Sequence, residues 1–496
     1  MEKRTIFFLL LLFVGTLALR LALVAQTGTF APEGYFYFRQ IEHMASEWEM
    51  LSTDALSYGG RPVIASPLFL LIMAVSYFFF PSVATLQIIP QVFVALLPVT
   101  VFLTVREMTR RSDAAFFSAL MSAFIPVVFA ETLFSLSPLT LSLPLSFLLV
   151  YFFLRSSAVP FIVCAIALAL THPSSIIPIF GFLFYLIIAQ LASFRVERSE
   201  LELILFSTFF TLWVHFLFYK KAFLLHGLSF IHQNIPVALL SRYFTEISLH
   251  IALLQVGVYP LLWGIASVSK YLFKTKDKLT FPILSLSIVV TLFLWLRFIT
   301  PSAGFMYLGV CLSILAGPMY VEAASYFAKT RFSRFAPMAA VILFLLIIPS
   351  LALPSIYFAG QQKAVIVSPA LADGLLWIRS NSSPHEVVLA VPSEGFVVAS
   401  IAERKSVMDT NFLLAPNADE RLADVERMFT TSFPTEAVAL FNKYDVDYIL
   451  VSPAAQRRFD VDKNLYSIPC LEEVYNERNV VVYQSHCRLS VTTSVI

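Results

Sequence analysis

The sequence predicts a polytopic α-helical membrane protein with a C-terminal α/β domain outside the cytoplasm. Three observations lead to this fold class. The 496 residues are 58% hydrophobic and only 13% charged, whereas a soluble protein is about 25% charged. Apolar runs long enough to cross a bilayer recur between Thr5 and Phe358. Beyond residue 359, short apolar strands alternate with amphipathic helices.

The balance of charge divides the chain near Ala359-Gly360. Residues 1–359 carry a net charge of +7, and residues 360–496 carry −5. We therefore expect a transmembrane domain over 1–359 and an α/β domain over 360–496. Nucleic acid is not an expected partner, because no basic tail or stripe lies outside the membrane flanks. The first apolar run extends to about Gln26 without a convincing cleavage site and predicts an uncleaved span.

Lys and Arg concentrate on the cytoplasmic side of membrane proteins, which orients the predicted helices. Eleven spans are expected, at 5–26, 86–106, 112–131, 138–155, 157–171, 174–193, 201–219, 247–271, 280–297, 303–326 and 336–358. Every basic cluster at the membrane flanks then faces the cytoplasm. The protein is predicted to be a multi-pass protein of the cell membrane, with a cytoplasmic N-terminus and an extracytoplasmic C-terminal domain. The short apolar segment Ser66–Pro81 is predicted to lie on, or dip into, the outer face, since one more crossing would reverse this orientation.

The first external loop, about Thr27 to Leu86, contains the polar stretch Glu33–Arg39. In that stretch Glu33 and Arg39 stand six residues apart, with four aromatic residues between them. A carboxylate held beside a membrane surface, next to aromatic rings and a guanidinium, is able to act on a polar head group. The same residues also fit an interfacial aromatic belt with solvated charges. The residues alone leave both interpretations open.

Other polar residues collect on the same predicted face. The loop 220–246 carries Lys220, Lys221, His226, His232, Gln233, Arg242 and Glu246. Arg297 lies at the outer end of the ninth span, and Glu131 lies beside the short link 132–137. Each residue taken singly fits a snorkelling or interfacial side chain. Together they favour a site that handles an anionic lipid head group.

The C-terminal domain shows the pattern of a small α/β fold. Helices are predicted at Leu371–Arg379, Ala418–Phe429 and Thr435–Tyr444, strands at Glu386–Val391, Asp447–Val451 and Asn479–Tyr483, and either one at Phe396–Ala402. Cys470 and Cys487 flank a candidate strand, so they either form a disulfide in an oxidising compartment or remain free. The sequence contains no Walker loop, zinc spacing, nucleophile elbow or dinucleotide fingerprint.

Glu33–Arg39 resembles the first-loop signature of oligosaccharyltransferase catalytic subunits, which is close to Asp-Pro-Tyr-Tyr-His-Tyr-Arg. The chain keeps Tyr35 and Arg39, with Glu33 in place of the Asp and Gly34 in place of the Pro. Other segments that look like the family are Thr104–Glu107, Arg297-Phe298, Trp377–Asn381, Arg404–Asp409 and Lys443–Val451. The resemblance covers most of the chain. It implies a GT-C glycosyltransferase fold with an extracytoplasmic α/β domain.

The chain departs from this family at two motifs. Val391–Gly395 stands where the family has Trp-Trp-Asp-Tyr-Gly, which reads the hydroxyl of the acceptor sequon, and only Gly395 remains. No acid stands at Ser135–Pro138, where the acidic pair of the second loop would fall, whereas Thr245-Glu246 resembles the late acid of the fifth loop. These departures favour the wider superfamily, including dolichyl- and polyprenyl-phosphate-sugar transferases, over glycosylation of an Asn sequon.

The resemblance implies transfer of a sugar or oligosaccharide from a polyprenyl (dolichyl)-phosphate-linked donor to a protein or glycan acceptor at the outer membrane face. Glu33 is the expected catalytic base. The expected substrate-binding residues are Arg297, Lys220, Lys221, Arg242, Arg39, His232 and Tyr35. A divalent metal, Mg or Mn, is optional, with Glu33 and Glu246 as its expected ligands.

Two other classes of protein remain open. The missing motifs fit a GT-C-like scaffold that has lost catalysis and binds a lipid or a partner. A transporter is also apolar and many-spanned, but it usually shows inverted repeats and acids in the middle of the membrane. The sequence shows no such repeat, and its acids collect at one predicted face.

Overall fold

The structure, a computed structural model, describes residues 3–244, 248–331, 333–459, 461 and 469–488. The chain divides into two compact units. The helical unit comprises Met1–Gly28, Ser66–Lys220 and Tyr243–Ala364. The sheet unit comprises Thr29–Ala65, Lys221–Arg242 and Val365–Ile496. Two internal segments therefore fold with the C-terminal residues. A change of composition along the chain marks where a domain begins, but it does not show which distant loops join it.

The helices account for most of the described chain. In chain order they are α1 (Lys3–Val24), α2 (Gly34–Glu47), α3 (Pro67–Phe79), α4 (Val83–Ala95), α5 (Leu97–Thr109), α6 (Ser112–Ala123), α7 (Pro126–Thr132), α8 (Leu139–Leu154), α9 (Ala158–Ala169), α10 (Ile176–Leu191), α11 (Arg198–His226), α12 (Val237–Tyr243), α13 (Leu249–Val256), α14 (Val258–Phe273), α15 (Phe281–Trp295), α16 (Pro301–Ala328), α17 (Ala336–Lys363), α18 (Pro369–Asn381), α19 (Gly395–Val397), α20 (Ala418–Thr430), α21 (Pro434–Lys443) and α22 (Pro453–Phe459).

Many helices of the helical unit are suited to a membrane. By length and composition, six helices of the described residues could cross it: Thr5–Val24, Val83–Thr109, Pro173–Leu191, Arg198–His226, Pro301–Ala328 and Val341–Lys363. The number rises to eight if the bent pairs α6–α7 and α13–α14 each count as one span. Shorter apolar helices are α3, α8, α9 and α15. The predicted fold class, a polytopic helical membrane protein, is confirmed, while the eleven crossings and their orientation stay predictions.

The span expected at 247–271 is a broken helix in the structure. α13 ends and α14 begins at Gly257, which has a φ of +97° that residues with a side chain rarely adopt. The two helices are bent by 99° at this glycine. A single Gly in an apolar run does not reveal such a break, because Gly is frequent in continuous membrane helices.

Glycines allow close packing within the helical unit. A Cβ added at Gly264 of α14 would lie 2.6 Å from the Leu312 Cβ of α16. A Cβ at Gly317 of α16 would lie 2.3 Å from the Val105 Cγ1 of α5. These distances are too short for two carbon atoms, so only glycine fits. Neighbouring helices therefore approach closely around a continuous core of buried apolar side chains.

The sheet unit contains one five-stranded sheet and a small hairpin. The strands are β1 (Thr53–Asp54), β2 (Arg61–Pro62), β3 (Val387–Leu389), β4 (Lys405–Ser406), β5 (Val446–Val451), β6 (Leu471–Glu477) and β7 (Val480–Ser485). β1 pairs with β2, and the larger sheet has the order β4-β3-β5-β7-β6. β4, β3 and β5 are parallel, whereas β7 and β6 are antiparallel to their neighbours. Helices and strands of this unit confirm the predicted α/β domain.

Strand β6 was not predicted from the sequence. It lies at the edge of the sheet, paired with β7, and its residues are exposed or half-buried. An edge strand without a buried face has no alternating apolar pattern by which to recognise it. β5, by contrast, is buried along nearly its whole length, so its apolar run predicted a strand correctly.

Cys470 and Cys487 are joined by a disulfide, with their Cα atoms 5.0 Å apart. Cys470 directly precedes β6, and Cys487 follows β7. Between these ends the His486 N–H donates a hydrogen bond to the Cys470 carbonyl at 2.9 Å. The disulfide therefore closes the open end of the β6–β7 hairpin. Cys164 and Cys311 are buried free thiols.

We predict that the denatured protein contains two free thiols before reduction and four after it, because only Cys470 and Cys487 are bonded. Thiol titration of the denatured, unreduced full chain measures this. Cys470→Ser and Cys487→Ser should each lower the stability of the sheet unit by about 3 kcal/mol. The double variant should be no less stable than either, since one substitution already removes the bond. Four thiols without reductant would contradict the pairing.

Candidate functional site

The carboxylate of Glu33 lies at the start of helix α2, in the sheet unit. The preceding turn is closed by backbone hydrogen bonds from Gly34 to Ala31 and from Tyr35 to Pro32. The Glu33 side chain makes no capping hydrogen bond, which leaves its carboxylate available. The residue as a whole is exposed. Protein atoms around the carboxyl nevertheless remove part of its hydration and raise the pKa of Glu33 above its ordinary value.

The aromatic residues after Glu33 fix the position of α2. Tyr35 and Phe36 are buried in the sheet unit. The Tyr35 ring contacts Phe30 with centroids 6.0 Å apart, and the Phe36 ring contacts Phe396 at 5.3 Å. Burial raises the pKa of Tyr35 to about 12, so its hydroxyl stays protonated. The structure thus places Tyr35 among packing residues, and its predicted contact with substrate stays a prediction.

Arg39 is held by an ion pair with a buried carboxylate. Its Nη1 and Nη2 donate to the two carboxylate oxygens of Asp54 at 2.8 and 3.0 Å. Asp54 is buried and also accepts a hydrogen bond from the Leu56 N–H. The pair therefore joins α2 to strand β1. Sequence reasoning recognised Arg39 as part of a motif but did not identify Asp54 as its partner.

The predicted cations lie on both units. Lys221 and Arg242 are exposed on the sheet unit, where His232 is half-buried. Their loop is anchored by the Asn234 side chain, which donates to the Phe412 carbonyl at 3.1 Å, and by the Val237 N–H, which donates to Asp419 at 2.9 Å. These two bonds hold the loop without using its cations.

On the helical unit Lys220 and Arg297 are exposed. Arg297 follows helix α15 and has a φ of +58°. Its N–H donates a hydrogen bond to the Leu294 carbonyl at the end of that helix. Glu246, the second expected metal ligand, lies outside the described residues. Within the part of the chain that the structure describes, no group of three His, Cys, Asp or Glu side chains could hold a metal ion.

The segment Val391–Gly395 folds into the interior of the sheet unit. Val391, Pro392 and Glu394 are buried, and the Ser452 hydroxyl donates to the Glu394 carboxyl at 2.9 Å. A Cβ at Gly395 would lie 2.1 Å from the Met408 carbonyl oxygen, so only glycine fits there. This contact gives a steric reason why Gly395 alone remains of the motif. The three buried side chains do not point to a surface where they could read an acceptor.

Sequence reasoning missed a buried arginine in the helical unit. Arg20 of α1 is 2% exposed, and it donates to the Gln91 side chain at 2.8 Å and to the Thr132 hydroxyl at 2.7 Å. Its guanidinium carbon lies 4.7 Å from the centre of the Phe129 ring. These contacts hold the end of α7, where Gln91 also donates to the Leu133 carbonyl. A lone Arg in the run Thr5–Val24 was the available signal, because a charge in an apolar span is costly.

A second polar cluster of the helical unit consists of hydroxyls and a histidine ring nitrogen. The Tyr307 hydroxyl donates to Ser174 at 3.1 Å and lies 3.1 Å from the Ser146 hydroxyl. The Ser175 hydroxyl lies 2.7 Å from His215 Nε2. These bonds link side chains of α8, α11 and α16 to the two serines that precede α10.

No protein-family model matches the chain, and no curated protein matches it. Solved structures do resemble it. The archaeal oligosaccharyltransferase AglB from Archaeoglobus fulgidus, in complex with an inhibitory peptide and a dolichol-phosphate, has a TM-score of 0.65 at 15% identity. The match covers 88% of this chain and 69% of AglB. Another structure of the same archaeal enzyme contains an acceptor peptide with the NVT sequon.

Two bacterial structures are also similar. ArnT from Cupriavidus metallidurans, bound to undecaprenyl phosphate, has a TM-score of 0.53 at 12% identity, and the match covers 96% of this chain and 97% of ArnT. The arabinofuranosyltransferase AftD from Mycobacteria has a TM-score of 0.58 at 14% identity. That match covers 95% of this chain and 40% of AftD. At these identities the likeness concerns the fold.

We predict that Glu394→Gln stabilises the protein above pH 7. Burial raises the pKa of Glu394 to about 7, whereas the unfolded chain loses this proton near the ordinary value of 4.5. Folded Glu394 therefore keeps a proton that the unfolded chain has lost, and stability falls as the pH rises from 4.5 to 7. At pH 8 the glutamine variant should be more stable by at most about 3 kcal/mol. At pH 4 the two proteins should be equal.

Thermal unfolding of the purified full chain at pH 4, 6 and 8 tests this prediction. Glu403→Gln is the control, because Glu403 is exposed and makes only a surface ion pair with Arg379. That control should leave the pH dependence unchanged. An equal loss of stability by Glu394→Gln at all pH values would contradict a buried, protonated carboxyl.

Proposed function

We propose that this chain, which has the fold of the GT-C membrane glycosyltransferases, transfers a sugar from a polyprenyl-phosphate-linked donor to an acceptor at the outer membrane face. Its structural relatives are enzymes of this class. The observation that carries the proposal is the available carboxylate of Glu33, held at the start of α2 by buried aromatic residues. Two of the related structures contain a polyprenyl phosphate, dolichol-phosphate in AglB and undecaprenyl phosphate in ArnT.

In the proposed reaction Glu33 is the general base. It accepts the proton of the acceptor O–H or N–H group as that atom bonds to the anomeric carbon of the sugar. The bond between this carbon and the phosphate oxygen breaks, and the polyprenyl phosphate leaves with the electron pair. A raised pKa makes Glu33 a stronger base once it is ionised, and general-base help contributes about 10²–10⁴ in rate. The Glu33 carboxylate does not cap helix α2, and this supports its role as a base.

The leaving phosphate requires cations. Arg297 is the first proposed phosphate ligand, and Lys220, Lys221 and Arg242 follow. All four side chains are exposed, as residues that meet a ligand must be. Preorganised cations stabilise the charge that develops on a leaving oxygen. For the acceptor, His232 remains a proposed ligand, while Arg39 and Tyr35 support Glu33 through α2.

The proposed acceptor is not an Asn-sequon peptide. In the oligosaccharyltransferase family that the chain resembles, the segment corresponding to Val391–Gly395 reads the hydroxyl of the acceptor sequon. Here its buried side chains bond to the interior of the unit instead, as Glu394 does with Ser452. A protein or glycan acceptor without a sequon fits this arrangement better.

No step of the proposed reaction passes through a metal ion. Among the described residues Glu33 has no companions that form a metal-binding group, while Glu246 lies outside them. An acid–base mechanism with cationic stabilisation of the phosphate uses the residues that the chain does offer. A divalent ion held by Glu33 and Glu246 remains the alternative for this step.

A second candidate function is a scaffold that binds the lipid carrier without transferring its sugar. The segment Val391–Gly395 favours this alternative, because its buried side chains do not reach a surface where they could bind an acceptor. The two candidates differ in one observable: an enzyme consumes a bound polyprenyl-phosphate sugar during incubation, whereas a scaffold returns it unchanged. A transporter would also leave the lipid-linked sugar uncleaved, so the same assay separates it from the enzyme.

We predict that Glu33→Gln lowers sugar transfer by about 10²–10⁴, because the amide cannot accept a proton. Glu33→Asp should retain part of the activity. Release of free polyprenyl phosphate by the purified protein measures the rate. Below the raised pKa of Glu33 the base is protonated, so the wild-type rate should rise with pH through that value. Glu49→Gln, in the same loop, is the control and should keep wild-type turnover. Full turnover by Glu33→Gln would rule out the base assignment.

We predict that Arg297→Ala raises the apparent KM for the lipid donor about tenfold, because one charge-assisted contact to the phosphate is lost. Donor titration of the transfer rate measures this change. Lys276→Ala removes an exposed cation that is predicted to face the cytoplasm and should leave the KM unchanged. An unchanged KM for Arg297→Ala removes Arg297 from the phosphate site.

A further inference from the structure

We propose that a buried clasp in the sheet unit, formed by Ser57, Tyr58, Arg61 and Asp409, positions the loop that carries Glu33. Ser57, Tyr58 and Arg61 belong to the same loop as Glu33, whereas Asp409 lies far from it in sequence, and none of the four touches substrate in this proposal. They are positioning residues, because they act on the reaction through helix α2. The inference rests on the proposed function of Glu33, and it names residues that the function itself did not require.

The clasp lies where an α/β sheet usually receives a ligand. Strands β4, β3 and β5 are parallel, so their carboxyl ends share one edge of the sheet. Asp409 follows β4 at this edge, Glu394 follows β3 and Ser452 follows β5. In open α/β sheets, ligands bind in the crevice outside these ends. Here a segment of the first loop contacts the residues after β4.

The backbone of the first loop extends the sheet at this point. Ser57 forms a parallel bridge with Ser406 of β4. The Ser406 N–H donates to the Leu56 carbonyl at 2.8 Å, and the Tyr58 N–H donates to the Ser406 carbonyl at 3.3 Å. The loop is therefore held in register along β4, rather than by side chains alone.

The side chains of the loop converge on one carboxylate. Arg61 Nη2 donates to both oxygens of Asp409, each at 2.8 Å. The Ser57 hydroxyl donates to the same carboxylate at 2.5 Å, and the Tyr58 hydroxyl donates to the Asp409 carbonyl at 2.5 Å. Arg61 Nη1 donates to the Asn411 carbonyl. Arg61 and Asp409 are 2% and 1% exposed, so water cannot replace a lost partner.

Two arginines enclose the tyrosine of the clasp. The Arg61 guanidinium carbon lies 4.8 Å from the centre of the Tyr58 ring, and that of Arg421 lies 5.4 Å from it. Arg421 also donates to the Val407 carbonyl at 3.0 Å. A buried ion pair adds little net stability compared with an apolar pair, but it permits one arrangement of its partners. The clasp thus specifies where the loop lies.

A second ion pair carries this constraint to Glu33. Arg61 begins β2, and in the hairpin it is paired in register with Asp54 of β1. Asp54 holds Arg39 of α2 through two hydrogen bonds. Since α2 is a continuous helix from Gly34 to Glu47, fixing Arg39 fixes the orientation of its first turn, which Glu33 precedes.

The start of the loop is held independently. The Val367 N–H donates to the Phe30 carbonyl at 3.3 Å, and the Thr29 hydroxyl donates to the Val367 carbonyl at 3.1 Å. The loop from Thr29 to Arg61 is therefore tethered at both ends within the sheet unit. Loss of the clasp would release its second half, so that α2 would be held only by the tether at Thr29 and Phe30 and by its aromatic packing on Phe396.

The test uses the full chain with Asp409→Asn and Arg61→Lys, which keep the size of each side chain but weaken the clasp. Asp54→Asn breaks the second ion pair and leaves the clasp intact. Arg458→Lys is the matched control, because Arg458 pairs with Glu426 in the same unit and contacts no residue of the clasp. Two readouts are needed: hydrogen exchange of backbone amides, which does not depend on activity, and the kcat and KM of sugar transfer.

We expect Asp409→Asn and Arg61→Lys to raise amide exchange across 34–62 at least tenfold, while β5 and β7 exchange as in the wild type. Their kcat should fall at least tenfold at an unchanged KM for the lipid donor, because Glu33 is misplaced and the phosphate ligands are not. Asp54→Asn should raise exchange in α2 and lower kcat, with the bridge at Ser57 still protected. Arg458→Lys should change neither readout.

Three results would overturn the proposal. Unchanged exchange in the loop of Asp409→Asn shows that the clasp does not order it. Faster exchange with a wild-type kcat shows that loop order does not matter for the reaction. If β5 and β7 also lose protection in the clasp variants, the variant Asp54→Asn decides between the outcomes. A wild-type kcat of Asp54→Asn would then contradict the proposal that the two ion pairs position Glu33. A wild-type protein that transfers no sugar overturns the proposed function instead, and exchange then decides alone whether the clasp orders the loop.

Discussion

A chain that lies in hydrocarbon must satisfy its backbone polar groups internally, and the helical unit depends on this constraint. It explains why the apolar runs of this protein form helices. It also explains why helices interrupted by proline persist, as in α4 with Pro90 and α16 with Pro318. Where a helix ends inside the unit, as α7 does, a side chain from elsewhere completes its hydrogen bonding. Gln91 serves the end of α7 in this way, because its side chain donates to the Thr132 and Leu133 carbonyls.

The same constraint affects which polar groups are suited to catalysis. In the cluster around Tyr307, polar side chains inside the helical unit bond to one another, and groups bonded in this way are poorly suited to catalysis. A carboxylate that must accept a proton needs water and substrate around it. Glu33 meets this need because it lies in a loop of the sheet unit, with its hydration reduced but not abolished.

An exposed loop that carries a proposed catalytic base creates a second problem, because loops are mobile. In the sheet unit two ion pairs, connected by the β1–β2 hairpin, hold this loop. Asp409 holds Arg61, the β1–β2 hairpin places Arg61 opposite Asp54, and Asp54 holds Arg39. Aromatic packing of Phe36 on Phe396 completes the support of α2. The edge of the sheet at the carboxyl ends of β4, β3 and β5 therefore contacts a segment of the chain itself. This agrees with the burial of side chains in the segment Val391–Gly395.

The sequence by itself determined the fold class, most helices and the strands with buried faces, and it singled out Glu33–Arg39 as a candidate site. These features rest on local information: hydropathy, periodicity and a short motif. Only the tertiary structure decided that Arg39 binds Asp54, that Arg61 binds Asp409, and that the loops 29–65 and 221–242 belong with the C-terminal residues. It also revealed the break at Gly257 and the exposed strand β6. The physical reason is that a side-chain partner on another element, a backbone angle at one glycine or an edge strand without a buried face leaves no periodic trace in the sequence.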